Sequence, residues 1–119
     1  MMLSKHFSRA EVACHHCGRI GKYPGNLKKL LAKLEALREA VRKPIDLTCA
    51  YRCPEHNAAV GGVPNSYHTQ DMAADIYITG MDVETLARLA EGVGFGGVGR
   101  YFGQGFVHVD IGPHARWIE

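Results

Sequence analysis

Three residues able to bind a metal ion lie in two short segments of the chain. His68 and Asp75 are seven residues apart within the segment 66–75, and His108 lies in the segment 106–110. Two neutral imidazoles and a carboxylate are the usual protein ligands of a catalytic zinc ion, which keeps its fourth position open for water. The sequence therefore predicts a zinc site made by His68, Asp75 and His108, and the rest of the chain must bring them together.

The residues around the predicted ligands alternate as in β-strands. Side chains of an extended strand point to alternate faces, so His108 and Asp110 share one face while Val107 and Val109 share the other. Asp75 lies in the same way opposite its apolar neighbours. An ionised carboxylate is costly to bury unpaired in the middle of a sheet, and a bound cation removes that cost. We therefore expect the ligands on a cleft face and the valines in the core.

Length and charge limit the possible classes of protein. The chain has 119 residues, which suits a single domain spanning 1–119 with one modest core, and we expect a monomer. Its net charge is +2 with the histidines neutral, which gives no strong attraction to nucleic acid. No apolar run is long enough to insert into a membrane. The first residues lack the pattern of a signal peptide, so a cytoplasmic location is expected for the newly made chain.

Helical and strand patterns together predict an α+β fold. An apolar stripe with steps of three and four residues predicts a long helix from Leu27 to Arg42, capped by Asn26. We expect a small antiparallel sheet with the helices on one side and this long helix on the face away from the metal. Further elements are a helical turn after Ser8, a helix beginning at Pro54, a helix from Asp82 to Gly92, strands over 45–51 and 73–78, and a hairpin over 98–102 and 106–111.

The four cysteines allow two interpretations. Without an export signal, reduced thiols are the default. Cys14 and Cys17, with two histidines between them, have the spacing of a structural zinc site that Cys53 or Cys49 would complete. The alternative is that they are small packing residues with one surface thiol. The sequence leaves both open.

Several motifs occur along the chain, in the segments 51–57, 59–66, 73–75 and 106–110 together with His68. Together they resemble the M15 family of zinc D-Ala-D-Ala carboxypeptidases and peptidoglycan endopeptidases, in a branch that includes small phage and bacterial proteins. The resemblance spans roughly residues 5 to 118 and implies a fold like that of the hedgehog and D,D-peptidase proteins. It also implies zinc bound by His68, Asp75 and His108.

The family pattern also suggests roles for residues around the metal. Arg52 resembles an arginine that helps to hold the substrate, with a structural salt bridge as the alternative, and Ser66 is expected to orient the substrate or a ligand. Some branches place an acid three residues before the distal histidine, where this chain has Gly105. Asp110 is therefore the candidate general base or the partner of a ligand. Asp71 replaces the usual glycine and is expected to add a carboxylate near the metal.

Two functions follow from the resemblance. The first is a zinc peptidase that uses a metal-activated water to hydrolyse peptide bonds involving D-amino acids in peptidoglycan stem peptides or cross-links. Lysis, a holin or a phage particle would then carry it to the cell wall. The second is a catalytically silent zinc-binding module that binds wall peptide or a partner protein, which Gly105 and Asp71 favour.

Overall fold

The computed structural model describes residues 1–119 and has four α-helices and five strands. A 3₁₀ helix, Tyr67–Gln70, precedes the second strand. None of the helices combines the length and the apolar character needed to cross a bilayer. The elements are α1 (Arg9–Val12), α2 (Pro24–Val41), β1 (Asp46–Cys49), α3 (Pro54–Ala59), β2 (Ala73–Tyr77), α4 (Val83–Gly92), β3 (Gly97–Tyr101), β4 (Phe106–Asp110) and β5 (Ala115–Ile118).

The five strands form one mixed sheet in the order β1-β2-β4-β3-β5. Neighbouring strands are antiparallel except β3 and β5, which are parallel. The α+β prediction is confirmed. The prediction of a purely antiparallel sheet is wrong, because β3 pairs in parallel with β5, which was not predicted. This strand has four residues with both ends exposed, so it lacks the apolar alternation that reveals a strand in a sequence.

Both long helices cover one face of the sheet. Five leucines of α2 are buried, and Leu86, Ala87 and Ala90 of α4 are buried beside them. They share one hydrophobic core with Ile76, Val107 and other residues that point to this face of the sheet. Asp75 and His108 alternate with those residues and point to the opposite face. The prediction that the long helix lies away from the metal ligands is therefore confirmed.

Helix ends agree with the sequence signals except at the start of α2. The helix begins at Pro24 rather than Leu27, because proline suits the first helical position, and it ends at Val41 with Arg42 in a left-handed conformation. The capping box of Ser8 and Glu11 is present in α1. The predicted start of α3 at Pro54 and the predicted cap of α4 are also confirmed.

Two glycines, Gly97 and Gly99, belong to strand β3. β3 begins at Gly97 and includes Gly99, and both are paired with β4. Both point to the face that carries His108 and Asp110, because they lie opposite Asp110 and His108 in the ladder. The absence of side chains at these two positions makes room on the cleft side of the sheet.

Candidate metal centre and cleft

Three elements position the predicted metal ligands. Asp75 and His108 lie directly opposite each other on β2 and β4, so both point to the same face of the sheet. His68 comes from the 3₁₀ helix that precedes β2, and the Ser66 hydroxyl caps this helix by accepting a hydrogen bond from the His68 backbone N–H at 3.2 Å. The structure thus brings together three side chains that are up to 40 residues apart in the sequence.

Both imidazoles approach the same carboxylate oxygen. His68 Nε2 is 3.3 Å from Asp75 Oδ1, and His108 Nδ1 is 3.2 Å from it. The two rings have centroids 5.2 Å apart and are inclined by 75°. Asp75 Oδ1 therefore lies between one nitrogen of each ring, within the cleft that all three residues line.

The other nitrogen of each imidazole is fixed by a hydrogen bond. His68 Nδ1 lies 2.7 Å from the Ala50 carbonyl oxygen, which can only accept, so Nδ1 carries the hydrogen and Nε2 is left to face Asp75. His108 Nε2 lies 2.8 Å from Asp110 Oδ2, which leaves Nδ1 to face Asp75. An acceptor behind each ligating imidazole is the usual arrangement at protein metal sites. The donor set therefore fits a divalent cation such as zinc.

The electrostatics of the cluster also fit a cation. Burial opposes the charged form of His68, but its hydrogen bonds to Asp75 and Cys49 outweigh this effect and raise its pKa to about 9. Burial likewise opposes charge on His108, yet hydrogen bonds to Asp110 and Asp75 raise its pKa to about 9. Burial would raise the pKa of Asp75, but the two imidazoles lower it to about 2. The pocket thus favours positive charge beside an ionised carboxylate.

Both carboxylate oxygens of Asp110 are already bonded. Oδ2 binds His108, and Oδ1 accepts hydrogen bonds from the backbone N–H groups of Gly97 at 3.0 Å and Gly112 at 2.9 Å. The side chain is only 3% exposed. A carboxylate held by three donors and shielded from the cleft is suited to orient His108 rather than to accept a proton from water. Of the two roles that the sequence left open, the geometry favours the partner of a ligand.

Trp117, which the sequence analysis missed, shapes the cleft beside His108. The Trp117 ring lies over β3 with its centroid 5.1 Å from that of His108. It occupies the space above Gly99, where a Cβ atom would come within 2.4 Å of the ring. Glycine recurs at 97 and 99 with the two-residue period of a strand. This recurrence was the one signal in the sequence that another group packs closely against that face of the strand.

Cys49 also lies next to the ligands, which the sequence analysis did not predict. Its Sγ is 3.8 Å from His68 Nδ1, and it is paired with Asp75 across β1 and β2. Ligand atoms of Cys49, His68 and Asp75 lie within 4.8 Å of one another. No motif pointed to this position, because the pairing with Asp75 follows an irregularity in the β1–β2 register.

Arg52 lies at the edge of the cleft without an acidic partner. The cleft has a volume of about 500 Å³ and includes Arg52, Ser66, the three predicted ligands and Trp117. One guanidinium nitrogen of Arg52 donates to Ser66 Oγ at 3.4 Å, while its Nε is buried with no hydrogen-bond partner. No ion pair joins Arg52 to Glu55 or another carboxylate. The salt-bridge alternative is therefore wrong.

The expectation that Asp71 adds a carboxylate near the metal is also wrong. Asp71 does adopt the left-handed backbone expected at this position, with φ of 58°. Its carboxylate, however, turns to the loop before α2, where it accepts hydrogen bonds from the backbone N–H groups of Gly21 at 3.2 Å and Tyr23 at 3.0 Å. Asp71 is a buried structural residue that attaches this loop to the end of the 3₁₀ helix.

Comparison with known proteins identifies the family to which the chain belongs. The Peptidase M15 family matches residues 5–110, so the chain belongs to the M15 peptidase family. It is similar to the peptidoglycan L,D-endopeptidase MepK of Escherichia coli, with 36% identity over 81 residues, which is 64% of this chain and 44% of that protein. It is also similar to the probable peptidoglycan L,D-endopeptidase MepK of Haemophilus influenzae, with 37% identity over 78 residues, 61% of this chain and 42% of that protein. The chain thus spans less than half the length of these relatives.

Proposed function

We propose that this protein is a zinc-dependent peptidase that cleaves peptide bonds involving D-amino acids in bacterial peptidoglycan. The carrying observation is the convergence of His68, Asp75 and His108, with the outer nitrogen of each imidazole already bonded. Membership of the M15 family and the names of the two relatives support the reaction and the substrate. Their names also favour an endopeptidase that cuts an L,D bond over a carboxypeptidase that releases terminal D-Ala.

The residues in and around the cleft have different proposed roles in the reaction. A zinc ion held by His68, Asp75 and His108 would lower the pKa of a water molecule and polarise the scissile carbonyl. Asp110 accepts a hydrogen bond from His108 Nε2–H and so keeps His108 Nδ1 turned towards Asp75, where it would be available to hold the ion. Arg52 presents a guanidinium group to the cleft, and such a group binds a peptide carboxylate through paired hydrogen bonds. Ser66 positions both His68 and Arg52 through its hydroxyl.

The general base is assigned from the carboxylates that line the cleft. Gly105 has no side chain and lies at the β3–β4 turn, and Asp110 is held by three donors. Apart from Asp75, Glu119 is the one acidic residue that lines the cleft. Its backbone N–H donates to the Arg100 carbonyl oxygen at 2.8 Å, near the end of β3. We propose Glu119 as the group that accepts the proton.

Hydrolysis of defined muropeptides tests the proposal. The purified protein is incubated with zinc and with cross-linked or linear stem peptides, and the products are identified by mass. Cleavage of an L,D bond supports the endopeptidase, whereas loss of terminal D-Ala would assign a carboxypeptidase instead. Bound zinc without any product would establish the silent binding module, which the glycine at position 105 favours.

Two variants separate binding from turnover. His68→Ala is expected to lose the metal of the cleft and all activity, because it removes a ligand. Glu119→Gln is expected to retain that metal and lose about 100-fold or more in kcat, because it removes the base. Full activity of Glu119→Gln would show that another group accepts the proton.

A further inference from the structure

A second cluster of possible metal ligands lies outside the cleft. The Sγ atoms of Cys14, Cys17 and Cys53 all lie within 4.8 Å of one another, and the three thiols are free. Cys14 is 2% exposed and Cys53 is 8% exposed. None of the three lines the cleft that holds His68. The proposed peptidase reaction therefore does not account for this cluster.

The backbone around the cluster favours thiolates. Cys14 Sγ accepts hydrogen bonds from the N–H groups of Cys53 and His16, both at 3.4 Å. Cys53 Sγ accepts one from the N–H of His56, also at 3.4 Å. Hydrogen bonds to the charged form of an acid stabilise that form, and the thiolate is the form of cysteine that binds metals. The backbone thus donates to both buried sulfurs, and a cation would offset the repulsion between neighbouring thiolates, which by itself raises the pKa of Cys53.

A tight turn brings Cys14 and Cys17 to the same side of the chain. The Gly18 N–H donates to the Cys14 carbonyl oxygen at 2.8 Å, and Gly18 has a φ of +72°, which favours glycine. The Cys14 N–H donates in turn to the Arg19 carbonyl oxygen at 2.9 Å, so the turn is closed at its base. Two cysteines separated by two residues in such a turn have the spacing of structural zinc sites.

We propose that Cys14, Cys17 and Cys53 bind a structural zinc ion. Tetrahedral coordination with ordinary zinc–sulfur bonds places sulfur atoms about 3.8 Å apart, so only a small contraction of the present cluster is needed. An imidazole completes the site. His16 and His56 stack with centroids 5.9 Å apart, and a ring nitrogen of His16 lies within 4.8 Å of Cys53 Sγ, so we assign the fourth position to His16.

Such a centre would support the cleft from outside. It would join the segment after α1 to the N-terminus of α3, directly beside Arg52. The residues just before Cys53 also hold His68. The Ala50 carbonyl oxygen binds the His68 ring, and the Arg52 N–H donates to the His68 carbonyl oxygen at 3.2 Å. A metal ion at Cys53 would therefore restrict the backbone that positions both His68 and Arg52.

Metal content measured in a variant without the cleft site tests this proposal independently of the peptidase reaction. The background is the full chain carrying His68→Ala, His108→Ala and Cys49→Ser, which removes the ligands in the cleft and the thiol beside them. This protein is expected to retain about one equivalent of zinc. Its cobalt-substituted form is expected to show the thiolate-to-cobalt charge-transfer band in the near ultraviolet.

Adding Cys17→Ser to this background is expected to abolish both the bound zinc and the band and to lower the melting temperature. The control adds Ser4→Ala instead, which removes a hydroxyl that donates a hydrogen bond to Glu35 of α2. This variant should keep both the bound zinc and the band. Zinc and band unchanged by Cys17→Ser, or a disulfide between Cys14 and Cys53 found by mass in the purified protein, would overturn the proposal.

The fourth ligand is tested by competition with a chromophoric chelator. His16→Ala is expected to weaken zinc binding in the same background, while His56→Ala, which removes the stacked ring, leaves the affinity within about twofold. If His56→Ala weakens zinc binding more than His16→Ala does, the fourth ligand is His56 and the assignment of the three thiolates still holds.

Discussion

At the scale of single residues, the geometry of the cleft depends on the groups that hydrogen-bond to the outer nitrogen of each candidate ligand histidine. His68 is held by the Ala50 carbonyl oxygen and His108 by Asp110, so each imidazole presents one defined nitrogen to Asp75. These contacts set the orientation of both rings before any ion binds. The precision of the site thus resides in residues that would not touch the metal.

The role assigned to Asp110 predicts the behaviour of Asp110→Asn. The amide keeps the shape of the side chain but replaces one of its two oxygens, of which Oδ2 binds His108 and Oδ1 binds two backbone N–H groups. We expect zinc affinity to fall about 10- to 100-fold, measured by chelator competition. Glu39→Gln, on the exposed side of α2, is the matched control and should bind zinc as the parent protein does. Unchanged affinity together with lost turnover in Asp110→Asn would instead make Asp110 the base.

The glycines of β3 give a second prediction at this scale. A Cβ atom at Gly97 would lie 2.2 Å from Asp110 Oδ2, so Gly97→Ala must displace the carboxylate that orients His108. We expect a loss of about 1–3 kcal/mol in the free energy of unfolding, together with weaker zinc binding. Gly103→Ala is the control, because nothing lies within 4 Å of a Cβ atom there. Denaturant unfolding and chelator competition measure both effects, and equal results for the two variants would contradict the packing argument.

At the scale of elements, an ion-pair network attaches α4 to the edge of the sheet. Arg100 on β3 donates to Glu84 at 2.7 Å and to Glu91 at 2.9 Å, and Arg116 on β5 lies 3.0 Å from Glu91. The side chain of Arg100 is only 12% exposed, so this network is better shielded from water than an ordinary surface pair. It connects the helix to the two strands that carry Gly99 and Trp117.

This network predicts how stability depends on pH. Hydrogen bonds from Arg100 and Arg88 lower the pKa of Glu84 from 4.5 to about 2, and Arg100 also lowers that of Glu91. A lowered pKa in the folded state adds stability that is complete above pH 4.5 and is lost as the pH falls towards 2. We expect Arg100→Gln to lower the melting temperature near neutral pH, and the difference from the parent to shrink over this acidic range.

The exposed neighbour of Arg100 supplies the control for that measurement. Arg88 also binds Glu84 at 2.7 Å, but its side chain is 75% exposed. Solvent screens such a pair, so Arg88→Gln should change the melting temperature much less. If both variants behave alike at every pH, the network does not hold α4 to the sheet in the way described.

At the scale of the whole molecule, the sheet separates the core from the chemistry. One face packs against α2 and α4, while the other face, together with the 3₁₀ helix, carries the candidate ligands. A metal ion in the cleft would therefore bridge segments that are distant in the chain, and a ligand that binds only the folded state stabilises it.

Zinc is thus expected to raise the melting temperature of metal-stripped protein. At about 100 times the dissociation constant the stabilisation would be about 2.7 kcal/mol for the cleft site alone. The contribution of this site is the part of the increase that disappears in His68→Ala, measured by thermal unfolding at fixed zinc concentration. An equal increase in the parent and in His68→Ala would show that zinc does not bind in the cleft.

Local patterns in the sequence were sufficient for most of the elements and for predicting three candidate ligand residues that lie close together in the fold. The leucine stripe of α2, the Asp82 cap and the β3–β4 hairpin depend on neighbours in the chain, and the alternation around His108 indicated which side chains share a face. The family motifs covered most of the chain and agree with the family match over residues 5–110.

Only the tertiary structure decided how distant groups are used. The turning of Asp71 towards Gly21, the hydrogen bond from Gly97 to Asp110 and the bonding of Arg52 to Ser66 rather than to a carboxylate depend on segments that are remote in sequence. The parallel pairing of β5 with β3 places Trp117 over Gly99 for the same reason. Periodicity reports which face a side chain occupies, whereas its partners depend on how separate segments pack, and packing is a property of the folded chain.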